Sequence, residues 1–366
     1  MLHVIILAGG SGTRLWPASR IAKPKHLLAF EERQTLLETT LQRAAGLVPP
    51  GRTWIVTSQA QAGLVADSLS HFDTQHIWAE PVARNTAASI GWAALKLRHI
   101  DADATMVVLP ADHIIKPAAT FCETVQSAAE IVARSPETLV TLGIIPTFPA
   151  TVYGYIKRGE ILTDASCPAY HALQFCEKPA EDAAQKFYQS GEYYWNAGIF
   201  VWKAHTILDL ICRFEPEVGQ HLCLLEQALE TTEEKSATDS AFQRMKSISI
   251  DYAVMERAEN VAVLEASFDW NDVGTWTALD RLYSEQKDAQ GNLAINSELL
   301  AIDSTGCTVR CNDPNHLVAI VGLEDIVVIQ TADATLIARK EQEESVRRIA
   351  EELRKRDASR GDGRWS

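Results

Sequence analysis

Three glycines, an arginine and a lysine follow the first apolar run of the chain, in the segment LAGGSGTRLWPASRIAKPKHLL. Gly9, Gly10 and Gly12 permit the backbone angles that let successive N–H groups converge on phosphate oxygens. The guanidinium of Arg14 can bind phosphate in a bidentate manner, and Lys25 adds a point charge on a long side chain. Neither the Walker A pattern nor G-x-G-x-x-G occurs here. These residue types predict a phosphate-binding loop of another kind.

An aspartate at the end of a later apolar run is a second candidate. Asp112 follows the run TMVVLP and precedes His113. The carboxyl ends of parallel strands form the edge where α/β proteins bind their ligands, which makes Asp112 a candidate metal ligand. A lone aspartate after a strand is also a common turn or capping residue, so both interpretations stay open at this point.

The elements that must position these residues alternate along the chain. Short apolar runs at 3–8, 53–57, 105–110 and 138–143 predict strands, and the segments between them have helical periodicity. This alternation predicts an α/β fold with a Rossmann-like, mostly parallel sheet flanked by helices. We expect residues 1–145 to form its nucleotide-binding part.

The rest of the chain follows two further patterns. Residues 146–284 mix predicted strands and helices and read as a substrate-facing extension of the same sheet, which completes a catalytic domain over 1–284. Residues 285–366 contain short β segments separated by turns, followed by a helical stretch. This part predicts a small C-terminal β domain with a terminal helix.

Composition excludes several classes of protein. The chain has 366 residues, of which 46% are hydrophobic, yet no apolar run reaches the roughly 20 residues of a membrane span. The net charge of −14 disfavours binding to nucleic acid. Seven scattered cysteines suggest reduced thiols in the cytoplasm, although Cys307, Cys311 and His316 lie close enough together to raise a weak metal-binding alternative.

The sequence GGSGTRLWPASR, followed by KPKHLL, resembles the signature of the mannose-1-phosphate guanylyltransferase family of sugar nucleotidyltransferases. Its Trp16-Pro17 and Ser19-Arg20 pairs favour the guanylyl branch. Further blocks are similar to those of the family: AEPVARNTAA, TVYGYI, FCEKP, WNAGIFVW, ISIDYAVMER and FDWNDVGTW. In TVYGYI, Val152 replaces a family glycine, so this position is either extended or belongs to a different loop.

The resemblance implies transfer of GMP from GTP to mannose 1-phosphate, with GDP-mannose and pyrophosphate as products. It implies Mg²⁺, in-line attack without a covalent intermediate, and a short, monofunctional form of the family. A cytoplasmic homodimer is expected, with no membrane or nucleic-acid partner.

The resemblance also assigns residues to roles. Arg14 and Lys25 are the expected catalytic residues, and Asp112 and Asp272 the expected ligands of the metal. The expected nucleotide-binding residues are Ala8, Gly9, Gly10, Ser11, Gly12, Thr13, Glu80, Arg84, Asn85 and Thr86. The expected sugar-phosphate-binding residues are Tyr153, Gly154, Glu177, Lys178, Asn196 and Gly198.

One of these assignments, that of Asn85, has a structural alternative, and so does one further family block. Guanine presents two neighbouring donors, so the carboxylate of Glu80 is expected to bind the base. Asn85 is equally suited to capping a helix that starts at Thr86. The segment IDYAVME also reads as an ordinary helix start.

Two other functions remain open. The G-x-G-T-R and E-K-P elements are shared with relatives that use another hexose 1-phosphate or another nucleoside triphosphate. A non-catalytic regulatory subunit that binds sugar nucleotides is a further alternative, although such a chain is expected to have lost phosphate-loop or metal residues.

Overall fold

The computed structural model describes residues 1–10, 12–30, 34–163 and 167–360. The chain forms two compact units. The first contains Met1–Gly9, Glu38–Ala111 and Ile115–Trp270; the second contains Gly10–Leu37, Asp112–Ile114 and the described residues from Asn271 onward. From Gly10 onward, the glycine-rich segment therefore belongs to the same unit as the C-terminal β strands. The boundary expected after residue 284 stays a prediction.

The first unit is built on a nine-stranded sheet with the order β3-β2-β1-β4-β9-β6-β10-β8-β7. Its strands are β1 Leu2–Ala8, β2 Thr53–Ser58, β3 Ile77–Glu80, β4 Thr105–Pro110, β6 Leu139–Ile144, β7 Tyr155–Thr163, β8 Ala169–Cys176, β9 Tyr193–Lys203 and β10 Val261–Ala266. Two shorter strands are β5 Ile114–Lys116 and β11 Asp269–Asn271. Strands β1 to β4 are parallel to one another, whereas β9 runs antiparallel to β4, β6 and β7.

Helices pack on this sheet. They are α1 Leu36–Ala45, α2 Gln59–Ser68, α3 Asn85–Ile100, α4 Ala118–Arg134, α5 Glu181–Ser190, α6 Ala204–Phe214, α7 Pro216–Ala228 and α8 Glu234–Arg244. The small apolar residues of α3 bury most of its surface, and Ile90 packs in one core with Met106 and Trp202 of the sheet. The predicted α/β class is confirmed.

The alternation of strand and helix sets which residues reach one edge of the sheet. In the parallel register, Ala8 of β1 lies beside Thr57 of β2, and Ser58 lies beside Glu80 of β3. The hydroxyl of Thr57 donates to the carbonyl oxygen of Ala8 at 2.7 Å. The carboxyl ends of three strands therefore present Ala8 and Glu80 at the edge where such sheets bind ligands.

The second unit carries the C-terminal β strands. Strands β12 Leu293–Ile295, β14 Thr308–Arg310, β16 Ile326–Gln330 and β17 Thr335–Arg339 form one sheet, and β13 Glu298–Ile302 pairs in parallel with β15 Leu317–Val321. The parallel steps β12 to β14 to β16 wind these strands like a β-helix. The short helix α9 Ala278–Leu282 precedes the strands, and α10 Val346–Arg360 follows them. The predicted β domain and terminal helix are confirmed.

The glycine-rich segment shares its core with this β domain. Leu15 and Trp16 are buried with Trp276, Val327 and Val346 in one apolar cluster. The indole N–H of Trp276 donates to the carbonyl oxygen of Trp16 at 3.0 Å. The loop is thus anchored by residues from the far end of the chain.

Two findings concern the remaining expectations. No helix among the described residues is long and apolar enough to cross a membrane. The seven cysteines all lie within the described ranges and are free thiols.

Candidate active site

The backbone of the glycine-rich loop requires a glycine at position 12. Gly12 has φ +61°, and a Cβ atom built on it would lie 2.5 Å from Cβ of Lys25. Both the left-handed conformation and this close approach exclude a side chain. Thr13 begins the 3₁₀ turn Thr13–Leu15. Ser11 lies outside the described residues.

Lys25 brings together the two predicted metal ligands. Its side chain is 10% exposed, its Nζ atom lies 2.7 Å from Oδ2 of Asp112, and the same ammonium donates to the main-chain oxygen of Asp272. Asp112 and Asp272 are far apart in sequence but belong to the same compact unit. The structure thus places one cation and two aspartates in a single cluster.

The carboxylate of Asp272 stands in a strained turn. The next residue, Val273, has φ +45° and is fully buried. A β-branched residue in the left-handed region is an outlier, and such strain concentrates at functional sites. Oδ1 of Asn271 accepts from the Val273 N–H at 2.8 Å, and Oδ1 of Asp272 accepts from the Gly274 N–H at 3.3 Å. These bonds hold the turn in its unusual shape.

The charges in this cluster favour an ionised Asp112. Burial by itself would raise the pKa of Asp112, but the ion pair with Lys25 lowers it below its usual value. His26 is buried, which lowers its pKa to about 4 and keeps the ring neutral. The site therefore presents carboxylate oxygens at neutral pH.

These oxygens fit a magnesium ion better than a transition metal. Among the described residues, no group of three or more His, Cys, Asp and Glu side chains could hold a metal. Mg²⁺ commonly uses only one or two carboxylates and completes its shell with phosphate oxygens and water. Asp112 and Asp272 suit that role, whereas a closed zinc site would need four protein ligands.

Arg14 forms an ion pair with the segment before the terminal helix. Its Nη1 atom lies 2.9 Å from Oε1 of Glu344, in the 3₁₀ helix Lys340–Ser345. The next residue toward the N-terminus, Glu343, accepts from the backbone N–H of Thr277 at 3.1 Å. The C-terminal region thus contacts Arg14, which is predicted to bind phosphate.

In the first unit, Glu80 is a buried carboxyl group whose Oε1 atom has no hydrogen-bond partner in the described part of the chain. The side chain ends β3 and is 6% exposed. Burial raises the pKa of Glu80 to about 7, against a smaller opposing effect of Ser89. An unpaired buried carboxyl group is costly unless a ligand supplies donors.

The neighbouring block ARNTA makes contacts inside the protein. The guanidinium of Arg84 donates to the carbonyl oxygens of Phe242 and Gln243. Asn85 is the first residue of α3, with φ +64°, and its Oδ1 accepts from the Thr86 N–H at 2.8 Å. This bond satisfies one of the unpaired donors at the start of the helix, as a capping residue would. The side chains of Arg84 and Asn85 therefore shape the start of α3.

The predicted sugar-binding residues of FCEKP and WNAGIF are neighbours in the first unit. A Cβ atom at Gly154 would lie 2.5 Å from Oε2 of Glu177, so a side chain there would displace the Glu177 carboxylate from its observed position. Lys178 forms an ion pair with Glu177. The Asn196 N–H donates to the Gly154 carbonyl oxygen at 2.8 Å, and Gly198 N–H donates to Oδ1 of Asn196 at 3.1 Å. The structure assembles these five residues as one cluster.

Tyr153 has a different environment. It is 7% exposed and packs edge-to-face against Trp195 and Trp270, with ring centroids 5.1 and 5.0 Å away. Val152 is exposed and is not among the residues with positive φ, so this position does not need the glycine of the family. The aromatic packing fixes the turn that leads into Gly154.

Two residues of this region were not expected from the sequence. Asp251 accepts from Nδ2 of Asn196 at 3.0 Å, and Glu256 accepts from the Glu177 N–H at 3.3 Å. Burial, and then the charge of Glu177, raise the pKa of Asp251 to about 6. The similarity of the block ISIDYAVMER to the family pointed to this segment, but its sequence alone predicts an ordinary helix. The structure shows instead a π-helical turn over Asp251–Met255, which corrects that interpretation.

Comparison with known proteins defines the class. Residues 3–288 match the model of the nucleotidyl transferase family, and residues 297–353 match that of the mannose-phosphate isomerase/GMP-like β-helix domain. Together with the sheet, these matches show that the protein is a nucleotidyltransferase.

The relatives narrow the class. The chain is 36% identical to a mannose-1-phosphate guanylyltransferase of Salmonella montevideo, over 97% of this chain and 74% of the relative. It is 35% identical to one from Escherichia coli, with the same coverage. A crystal structure described as mannose-1-phosphate geranyltransferase from Thermus thermophilus superposes with a TM-score of 0.84 and 33% identity, over 96% of this chain and 99% of that one. The chain belongs to the mannose-1-phosphate guanylyltransferase family.

Proposed function

We propose that the protein transfers GMP from GTP to mannose 1-phosphate, giving GDP-mannose and pyrophosphate. The observation that carries this proposal is the cluster of Lys25, Asp112 and Asp272, in which a buried cation pairs with the carboxylate of Asp112 and donates to the main-chain oxygen of Asp272. Phosphoryl-group chemistry needs such a combination, because positive charge must bind the triphosphate and carboxylates must hold a metal ion.

The triphosphate is assigned to the glycine-rich loop. The backbone N–H groups of Gly9, Gly10 and Gly12 bind phosphate oxygens, and Arg14 and Lys25 neutralise their charge. Glu80 binds the base, since its unpaired oxygen can accept from the N1–H or the exocyclic amine of guanine. Ser89 lies beside Glu80 and helps to orient it.

The sugar phosphate is assigned to the cluster in the first unit. Lys178 binds the phosphate, and Glu177 accepts from sugar hydroxyl groups. The Lys178 side chain is 59% exposed, so its ammonium can exchange Glu177 for a phosphate at small cost. Asn196 and the Gly198 turn maintain the cluster through their bonds to one another and to Gly154.

The reaction requires positioning more than acid–base chemistry. The phosphate of a sugar 1-phosphate is ionised at neutral pH, so its oxygen can attack the α-phosphorus of GTP in line without a general base. Pyrophosphate then leaves with the electron pair of the broken P–O bond. The protein supplies orientation and charge neutralisation through Arg14, Lys25 and Lys178. Asp112 and Asp272 would hold Mg²⁺, which would supply additional neutralisation of phosphate charge.

The protein is further proposed to act as a cytoplasmic homodimer. Strands β13 and β15 expose Leu300, Ile302, Leu317 and Val321, each at least 50% accessible. Two chains of net charge −14 repel each other over most of their surface, so a mainly apolar face, on which β13 carries Glu298 as its one charge, is where they can meet. Light scattering after size-exclusion chromatography measures the mass that tests this.

An assay of pyrophosphate release tests the catalytic proposal. The purified protein is incubated with mannose 1-phosphate, Mg²⁺ and GTP, ATP, UTP or dTTP in parallel. The same assay with glucose 1-phosphate examines the other hexose. Release only with GTP and mannose 1-phosphate is the expected result, whereas preference for another pair would reassign the substrates.

A lysine variant then tests the role of Lys25 in turnover. Lys25→Ala is expected to lose turnover, and Lys235→Ala, whose side chain is 84% exposed on α8, serves as the control. Undiminished turnover by Lys25→Ala would remove the central residue of the proposal. Sugar-nucleotide binding without any pyrophosphate release by the unmodified protein would favour a regulatory subunit.

A further inference from the structure

The geometry points to Asp251 as a sugar-binding residue that accepts a hydrogen bond from a hexose hydroxyl group beside Glu177, and to Asn196 as the residue that positions it. This inference rests on the proposed function, because it assigns a residue to the sugar half of that site. It also changes the role expected for Asn196, which the resemblance assigned to the sugar itself.

The side-chain amide of Asn196 is already committed to protein partners. Its Oδ1 accepts from the Gly198 N–H at 3.1 Å, and the hydroxyl of Thr141 lies 3.1 Å from the same oxygen. These contacts orient the amide so that Nδ2 donates to Oδ1 of Asp251 at 3.0 Å. Asn196 therefore has no acceptor left to offer a ligand, and Asp251 becomes the acceptor that the amide holds in place.

The backbone that carries Asp251 is equally well fixed. Thr86 Oγ1 accepts from the Ile250 N–H at 2.8 Å, and the Ala87 N–H donates to the carbonyl oxygen of Ile248 at 3.2 Å. The turn that follows, Asp251–Met255, is π-helical. Single π turns are rare and are frequent at functional sites. The two bonds to the start of α3 thus fix the backbone that leads into Asp251.

The charges that face Asp251 fit a diol. Glu177 and Lys178 approach it from the end of β8, and Asn196 from β9. Glu256, at the end of its own turn, binds the backbone of Glu177. Lys178 is paired with Glu177, and its charge also acts on Asp251. Two neighbouring carboxylates repel each other, and one shared cation offsets only part of this repulsion. Two hydrogen-bond donors offset more of it, and vicinal hydroxyl groups of a hexose supply them.

The test removes the charge while keeping the shape. Asp251→Asn retains an oxygen that can accept from Nδ2 of Asn196, and Asp239→Asn, a 41% exposed aspartate on α8, is the matched control. The apparent KM for mannose 1-phosphate is expected to rise about 10- to 100-fold in Asp251→Asn. The KM for GTP is expected to change less than threefold, and Asp239→Asn to match the unmodified protein.

Deoxy sugars identify the hydroxyl group. The 2-, 3-, 4- and 6-deoxy analogues of mannose 1-phosphate are compared with the parent sugar in both proteins. One analogue is expected to react equally with Asp251→Asn and with the unmodified protein, because the partner of Asp251 is already missing. A uniform loss with every analogue, an unchanged KM, or an equal rise in KM for both substrates would each overturn the inference.

Two further outcomes are distinguishable. If Asp251→Asn does not fold, the unmodified protein decides, because loss of less than threefold with every deoxy analogue would leave no hydroxyl group for Asp251 to bind. If the unmodified protein does not use mannose 1-phosphate, the proposed function fails first. The same comparison is then made with the hexose 1-phosphate that it does use, where the same outcomes support or overturn the role of Asp251.

Discussion

The Nζ atom of Lys25 lies 2.7 Å from Oδ2 of Asp112, so the lysine of the glycine-rich segment and the aspartate after β4 form a direct ion pair. The same ammonium reaches the main chain of Asp272. Under the proposed function, Lys25 would bind phosphate, and Asp112 and Asp272 would hold Mg²⁺. The position of the Lys25 side chain is therefore expected to control turnover.

Replacing Gly12 with alanine should displace Lys25. The new Cβ would lie 2.5 Å from Cβ of Lys25, and φ +61° is unfavourable for alanine. We expect turnover to fall about 100-fold or more, measured as pyrophosphate release at saturating substrates.

Gly63→Ala is the matched control, since Gly63 lies within α2 and nothing is within 4 Å of a Cβ there. It should keep full activity and gain up to about 1 kcal/mol of stability. Equal activity of the two variants would show that the close approach of Gly12 to Lys25 is unnecessary.

Glu80→Gln should change both stability and base selectivity. The pKa of Glu80 is raised from 4.5 to about 7 in the folded protein, so the folded state holds this proton more tightly than the unfolded state does. The associated stabilisation is present below pH 4.5 and is lost as the pH rises through 7, up to about 3 kcal/mol. Glutamine does not ionise. The variant should therefore melt at a higher temperature than the unmodified protein at pH 8, and this difference should shrink toward pH 4.5.

The same variant tests the guanine contact. Glutamine can offer one acceptor but no charge, so preference for GTP over ATP should fall about 10-fold or more. Exposed Glu137 provides the control Glu137→Gln, which should alter neither property. Full GTP preference in Glu80→Gln would contradict the assignment of Glu80 to the base.

Val346→Asp should disrupt the packing of the terminal helix against the glycine-rich segment. Val346 is 2% exposed and shares a core with Leu15 and Trp16. Burying an unpaired carboxylate there should cost several kcal/mol and lower the melting temperature by many degrees. Arg347→Asp, on the exposed face of the same helix, should have a far smaller effect. A stable, fully active Val346→Asp protein would mean that the loop does not depend on α10.

Glu344→Gln should bind GTP slightly better than the unmodified protein. The Glu344 carboxylate occupies Arg14 at 2.9 Å, in an ion pair whose two side chains are 37% and 61% exposed. Such exposed pairs contribute about 0 to 1 kcal/mol, so releasing Arg14 should lower the KM for GTP by no more than about fivefold. A rise in KM would show that Glu344 orients Arg14 for phosphate instead of competing with it.

Much of the fold could be predicted from the sequence, because local patterns carry it. Hydrophobic patterns alone predict the apolar runs that form β1, β2, β4 and β6 and the helical segments between them. The glycines, Arg14 and Lys25 indicated phosphate binding by their chemistry. The turn-separated β segments after residue 285 likewise predicted a β domain, since each is a local feature.

Only the tertiary structure decided which residues meet. Asp112 and Asp272 approach the same lysine, Glu344 reaches Arg14, and Asp251 joins Asn196, all across long stretches of chain. The π-helical turn at Asp251 was also invisible, because its sequence satisfies an ordinary helix equally well. Long-range contacts leave no periodic signal, since they depend on how the elements pack and not on the residues beside them in the chain. The sequence by itself thus determined the elements and the chemical groups, and packing determined their partners.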